Sequence, residues 1–285
     1  MTESIRRIGI LGAGQMGSGI AQVAAQSGFD VQIVERTEAG VERGMARLRK
    51  AIDRLVAKER ISSDEAASVV GRIATSTEPG VFSDCDLVVE AVTESPEVKH
   101  EVFRRLEEVC RPDAILATNT SSISITRIAG VTERPERVIG MHFMNPVPVM
   151  KLVEIIRGLA TSDETCAKTT AVCERLGKTV VTASDYPGFI VNRVLIPMIN
   201  EACYALMEGV GSARDIDQAM VLGTNQPMGP LTLADFIGLD TVLAIMEVLH
   251  AGLGDDKYRP CPLLRQHVDA GFLGRKAGRG FHTYN

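Results

Sequence analysis

No two cysteines of this chain stand in a CxxC spacing, and none of the six (Cys85, Cys110, Cys166, Cys173, Cys203, Cys261) has a histidine placed to complete a metal site. A disulfide framework and a structural zinc are therefore not expected. The thiols read as reduced and mostly buried, as in a cytoplasmic protein. Basic charge is also short. With 31 Lys and Arg against 36 Asp and Glu, the net charge is -5, which leaves no global positive field for nucleic acid or a membrane surface. No apolar run approaches the ~20 residues of a membrane-spanning helix. The opening residues, Met1-Thr-Glu-Ser-Ile-Arg-Arg, lack the basic and apolar regions of a secretory signal, so a cytoplasmic location is expected. Low-complexity tracts are missing as well. The remaining composition, 45% hydrophobic and 24% charged over 285 residues, is that of a globular protein with room for two ordinary domains.

What is present is concentrated first at the start of the chain. A short apolar strand, Ile8 to Leu11, runs into Gly12-Ala13-Gly14-Gln15-Met16-Gly17. Gly12 permits the tight turn, Gly14 offers no side chain to block a pyrophosphate, and Gly17 lets the next helix pack close to the sheet. That helix, Gln15 to about Gln26, aims its N-terminal N–H groups and partial positive charge at the same point. Gly28 ends it, and a second strand from Asp30 leads to Glu35, where an acid would accept hydrogen bonds from a ribose 2′-OH. This is a dinucleotide-binding fingerprint in its full context. The carboxylate of Glu35 would repel a 2′-phosphate, so NAD is expected rather than NADP, with Arg36 read as a surface charge.

The first half of the chain alternates strand and helix. Val41, Met45, Leu48, Ile52, Leu55 and Val56 mark one buried stripe on a long charged helix, and Ser62-Ser63-Asp64-Glu65 suits the start of a short one. Asp86 to Val92, Ala114 to Ala117 and Arg137 to Met141 read as buried strands. Met150 to Arg157 fits a strand less cleanly, because it does not alternate. The expected fold class is α/β: a Rossmann-like doubly wound sheet over residues 1–186, whose ligands bind at the carboxyl ends of its strands. Strand signal fades after about residue 184. Phe189 to Glu208, Ala213 to Leu222 and Leu231 to His250 read as helices, giving an all-helical domain over 187–285.

Three further clusters carry chemistry-bearing residues: Asn119-Thr120-Ser121-Ser122, His142-Phe143-Met144-Asn145-Pro146 with Glu154 beyond it, and Pro187-Gly188-Phe189-Ile190-Val191-Asn192-Arg193. The first two follow or end predicted strands, although spacing alone does not join the three into one site. Oxidation of a secondary alcohol by hydride transfer needs a group to take the hydroxyl proton, and imidazole suits that task near neutral pH. Of the five histidines, His142 alone precedes a Pro-rich loop at a predicted strand end. A carboxylate such as Glu154 could fix its tautomer and stabilise its cation. His100 is read as solvated on a helix face, and His250, His267 and His282 lack a comparable setting.

Over essentially its whole length the chain resembles the L-3-hydroxyacyl-CoA dehydrogenase family, and most of all its short-chain members. The resemblance rests on GAGQMGSGIA (Gly12–Ala21), NTSS (Asn119–Ser122), IGMHFMNPVPVMKLVEII (Ile139–Ile156), PGFIVNR (Pro187–Arg193), MGPLTLADFIGLD (Met228–Asp240) and GRKAGRGF (Gly274–Phe281). It implies that His142 is the catalytic base, that Glu154 pairs with it, and that Ser121 and Asn192 hydrogen-bond the substrate around its C3 oxygen. It further implies that Glu94, Lys99, Asn145 and Lys276 contact the nicotinamide dinucleotide, and that Lys50 and Arg54 meet the phosphates of CoA. The site would lie at an interdomain cleft, and the family's homodimer would form through the C-terminal domain. Two departures stand out: Glu35 replaces an Asp common in the family, and Met144 replaces an aromatic residue. The reaction so implied is reversible oxidation of (S)-3-hydroxyacyl-CoA, in short-chain members (S)-3-hydroxybutyryl-CoA, to the 3-oxoacyl-CoA. A dehydrogenase of a CoA-free hydroxy acid and a non-catalytic NAD-binding protein are the rival readings.

Overall fold

A computed structural model describes residues 5–284 and divides into two compact units, Met1–Tyr186 and Pro187–Asn285. In the first unit the order is β1 (Arg7–Leu11), α1 (Gln15–Gln26), β2 (Asp30–Val34), α2 (Glu38–Ala57), α3 (Ser63–Gly71), β3 (Ile73–Ser76), β4 (Leu87–Glu90), α4 (Pro96–Val109), β5 (Ile115–Thr118), α5 (Ile125–Ala129), β6 (Val138–Phe143), β7 (Leu152–Arg157), α6 (Asp163–Arg175) and β8 (Thr179–Ser184). The strands form one eight-stranded sheet in the order β3-β2-β1-β4-β5-β6-β7-β8. Every neighbouring pair is parallel except β6 and β7. From β1 the chain winds outward to β2 and β3, then returns to β4 on β1's other side. The carboxyl ends of β1, β4, β5 and β6 therefore share one edge next to a topological switch point, where such sheets bind ligands.

Central strands are covered on both faces, so β4, β5 and β6 are buried along their whole length. Double-sided burial also explains β7. Val153 to Ile156 are all buried, so no polar face exists to produce alternation, yet the segment is a strand. The edge strands β3 and β8 are largely exposed and carry too little apolar pattern to be recognised in the sequence. Local signals act where they were expected. Ser62 and Glu65 form a reciprocal capping box at α3, and Gly28, with φ +83°, follows the end of α1.

The second unit holds α7 (Val191–Met207), α8 (Ala213–Thr224), α9 (Pro230–Ile237), α10 (Leu239–Leu253) and α11 (Pro262–Asp269) around a core that includes Ile196, Ile199, Leu231, Leu239, Met246 and Leu264. The segment from Leu231 to His250, read above as one helix, is two helices bent by 99°. Gly238 sits at the break with φ +103°, a conformation that other residues rarely adopt, so the helix stops and restarts there. No single helix among the described residues is long and apolar enough to cross a membrane. Two buried aspartates tie down the last segment of the unit. Asp235 accepts from the backbone N–H of Phe281 and His282 and from the Tyr284 hydroxyl, and Asp217 lies 2.8 Å from His282 Nε2.

All six cysteines are unpaired, and all but Cys166 are buried. Burial pushes the thiols of Cys85 and Cys173 up to about 12 and that of Cys110 to about 11, which keeps them protonated and inert. Alkylation of the native protein at pH 8 should modify Cys166 alone on the minutes scale and all six cysteines after denaturation. Mass spectrometry of the labelled protein would show it, and rapid labelling of any second cysteine would contradict this burial pattern.

Candidate active site

The glycine loop shows which of its glycines the chain itself requires. Gly12 has φ +103°, and a Cβ there would lie 2.6 Å from the carbonyl oxygen of Ala91. A Cβ on Gly17 would lie 1.8 Å from the carbonyl oxygen of Gly12, so α1 could not approach β1. Gly14 is different: a Cβ there would meet nothing within 4 Å. Internal packing gives no reason for a glycine at that position. The space it leaves lies at the N-terminus of α1, which has neither a side-chain cap nor an acidic residue in its first turn. That N-terminus retains its appetite for an anion. Met16, the second residue of α1, packs partly buried against the sheet core.

Beside the loop lies a cavity of about 850 Å³, lined among others by Gly12, Gly14, Glu35, Arg36, Val92 and Val98. Glu35, just past β2, accepts the N–H of Ala13 at 2.9 Å and that of Arg36 at 2.8 Å, so its carboxylate is held against the loop. The Ala13 carbonyl is held from the other side by Ser18 Oγ and by Arg47 of α2, at 2.9 and 3.0 Å. Open space at Gly14, an uncapped helix N-terminus, an apolar-walled cavity and an anchored acid together fit a bound nicotinamide dinucleotide.

At β6 and β7 the antiparallel register sets His142 directly opposite Glu154. His142 Nδ1 lies 2.7 Å from Glu154 Oε2, with the side chains only 8% and 0% exposed. A carboxylate opposite Nδ1 places the proton on that nitrogen and makes Nε2 the basic one. Asn119, the first residue after β5, accepts the N–H of Phe143 at 3.0 Å, which fastens the Ser121 loop to the residue next to His142. In the loop after His142, Asn145 Oδ1 accepts from Gln15 Nε2 of α1 at 3.0 Å.

Ser121 lies in a loop organised by Glu94. One oxygen of that carboxylate accepts from the Thr120 hydroxyl at 2.6 Å, from the N–H groups of Ser121 and Ser122 at 2.9 and 3.1 Å, and from the Ser122 hydroxyl at 2.9 Å. Its other oxygen is 3.4 Å from Lys99 Nζ, which also pairs with Glu90 at 2.7 Å. Burial acts to raise the Glu94 pKa, but the Lys99 charge and the loop hydrogen bonds outweigh it and hold the carboxyl below its usual value. Asp185 secures the far side of the loop, accepting from Ser124 Oγ and from the N–H groups of Ile125 and Thr126.

Lys50 and Arg54, one turn apart, are both exposed on α2. Asn192 and Lys276 belong to the second unit, Asn192 in the first turn of α7 and Lys276 in an ion pair with Asp240 at 2.6 Å. Glu90, Arg47 and Asp185 escaped the sequence reading, because each acts on groups distant in the chain, and Asn119, there part of a cluster, had no role of its own until its bond to Phe143 was seen. His100 was read as solvated; instead it is half-buried, with Nε2 shielded from solvent.

A glycine loop at the switch point of a doubly wound sheet, next to a buried imidazole–carboxylate pair, defines the class of NAD-dependent dehydrogenases that oxidise a hydroxyl group. Comparison narrows the class. Residues 7–186 match the model of the 3-hydroxyacyl-CoA dehydrogenase NAD binding domain, and residues 188–284 match that of the C-terminal domain. The chain belongs to the 3-hydroxyacyl-CoA dehydrogenase family. It is 57% identical over 280 residues to a probable 3-hydroxybutyryl-CoA dehydrogenase of Bacillus subtilis, covering 98% of each chain. To the 3-hydroxybutyryl-CoA dehydrogenase of Bradyrhizobium diazoefficiens it is 53% identical, over 100% of this chain and 97% of that one. Among solved structures it is similar to an (S)-3-hydroxybutyryl-CoA dehydrogenase from Ralstonia eutropha, with TM-score 0.97, 50% identity and coverage of 99% and 100% of the two chains.

The lowered carboxyl of Glu94 has a thermodynamic consequence. A group held below its ordinary value of 4.5 contributes stability that is fully present above that pH and is lost as pH falls through the lowered value. In urea unfolding at pH 7, Glu94→Gln should be less stable than the parent, and the gap should close as the pH is taken below 4.5. A gap that stayed constant would mean that the charge of Glu94 does not hold the loop.

Proposed function

We propose that the chain catalyses the reversible oxidation of (S)-3-hydroxybutyryl-CoA to acetoacetyl-CoA with NAD, and that His142 is its general base. The observation that carries the assignment of the base is the buried 2.7 Å pair of His142 with Glu154 at the carboxyl edge of the sheet. NAD, when bound, supplies the acceptor for the hydride from C3. His142 takes the hydroxyl proton at Nε2 as the C3–O bond becomes a carbonyl, and Glu154 stabilises the imidazolium that results. In the reverse direction protonated His142 returns the proton to the C3 oxygen. Ser121 and Asn192 orient that oxygen.

Gly12, Gly14 and Gly17 admit the pyrophosphate, and Glu35 accepts from the adenine-side ribose. Glu94, Asn145 and Lys276 would contact the dinucleotide; Lys99, expected from the resemblance to do the same, is 1% exposed between Glu90 and Glu94 and would act through Glu94 instead. Lys50 and Arg54, exposed one turn apart on α2, attract the phosphates of CoA. In this reading residues 1–186 form the NAD-binding domain. Residues 187–285 form the substrate and dimerisation domain. The second unit exposes Val194, Val210, Leu222 and Phe236 at 68%, 76%, 74% and 54%, apolar area that a second copy would cover. Six unpaired thiols support a cytoplasmic location.

Acetoacetyl-CoA reduction followed at 340 nm tests the reaction, with NADH and NADPH in parallel and free acetoacetate as control. Turnover with NADH on the CoA ester alone is expected; turnover on free acetoacetate would remove the role given to CoA. His142→Gln should lower kcat by about 10³-fold or more, the scale of losing a general base and its alignment, with NADH affinity nearly unchanged. Sedimentation at micromolar concentration should show a dimer, and a monomer would refute the proposed interface.

A further inference from the structure

Glu90, the last residue of β4, is wholly buried and has no part in the reaction as described above. Its Oε1 accepts from the N–H of Val92 and from Lys99 Nζ, both at 2.7 Å, and its Oε2 accepts from Thr118 Oγ1 at 2.7 Å. Lys99 is 1% exposed, and its second partner is Glu94 at 3.4 Å. Glu94 in turn holds Thr120, Ser121 and Ser122. Negative, positive and negative groups thus lead in line from the interior of the sheet to the Ser121 loop.

We propose that Glu90 is a positioning residue for Ser121, acting through Lys99 to keep the Glu94 carboxylate on the loop. The proposal rests on the substrate role given to Ser121 above. Stability alone is a weak reason to keep such a pair, since well-packed apolar side chains in place of a buried ion pair are often as stable or more so. Placement is a stronger reason. With Glu90 neutral, Lys99 has Glu94 as its only carboxylate partner of the two. It then draws that carboxylate inward, off the backbone of Ser121 and Ser122. The loop loses an anchor while the sheet around it stays intact.

A double-mutant cycle separates this role from a merely structural one. Glu90→Gln, Ser121→Ala and the double variant are compared for kcat/KM on acetoacetyl-CoA, with urea unfolding as the check that each is folded. At saturating NADH, Glu90→Gln should lower kcat/KM for acetoacetyl-CoA about tenfold in the parent, on the scale of a misplaced substrate contact, chiefly through kcat. In the Ser121→Ala background the same substitution should lower it less than twofold, because the residue it positions is gone. Equal losses in both backgrounds, or a Glu90→Gln enzyme as active as the parent, would overturn the proposal. If Ser121→Ala alone retains full activity, the substrate role of Ser121 fails, and this inference falls with it. If Glu90→Gln does not fold, Thr118→Val, which removes one hydrogen bond to Glu90 at nearly constant volume, goes through the same cycle. A loss of about threefold that disappears without Ser121 is then expected, and a loss that persists overturns the proposal.

Discussion

Reversal of chain direction between β6 and β7 is the constraint on which the site depends. A further parallel strand would need a long crossover, so the partner of His142 would have to come from a distant part of the sequence. The antiparallel return instead brings Glu154 across from His142 after only the short Pro-rich loop. A carboxylate with no solvent exposure is tolerable only if it is paired, and the imidazole 2.7 Å away supplies the pairing. Each residue thus accounts for the other. Glu154 fixes which nitrogen of His142 is basic, and His142 makes the burial of Glu154 possible.

The same logic recurs on β4, two strands in from β6. Glu90, at the end of β4, is as deeply buried as Glu154 and is held by Lys99 and Thr118. Both carboxylates lie near the carboxyl edge of the sheet, where the strands stop and loops begin. An anchored charge there fixes loops that backbone pairing no longer reaches. Asn119 does the same with a neutral amide, gripping the backbone of Phe143 from the adjacent strand. The result is a set of loops with defined positions around the open space beside Gly14, consistent with a site organised before its ligands arrive.

The second unit is held by different means. Its helices are apolar on several faces, and its polar anchors are two aspartates that fasten the last turns of the chain. A Cβ on Gly280 would stand 1.8 Å from Asp235 Oδ1, and one on Gly229 would stand 2.3 Å from Asp217 Cβ, so small residues let the backbone close on these carboxylates. His282, which had no evident setting in the sequence, thereby acquires one as part of a structural clasp.

By itself the sequence determined what depends on near neighbours in the chain. The β1–α1–β2 unit is one case, with α1 running from Gln15 to Gln26 as read, because its glycines, helix start and buried strands are local features. The pairing of His142 with Glu154 was implied by the family resemblance, while the contact itself depends on the antiparallel register of β6 and β7. Tertiary structure decided what depends on strand order and burial. The exposed edge strands β3 and β8 carry almost no pattern of their own and exist because a neighbouring strand offers its hydrogen-bonding edge. The break at Gly238 is a matter of backbone torsion that helical periodicity does not encode. The line from Glu90 through Lys99 and Glu94 to Ser121 forms only when β4 and β5 lie side by side, for a charge acts through space and not along the chain.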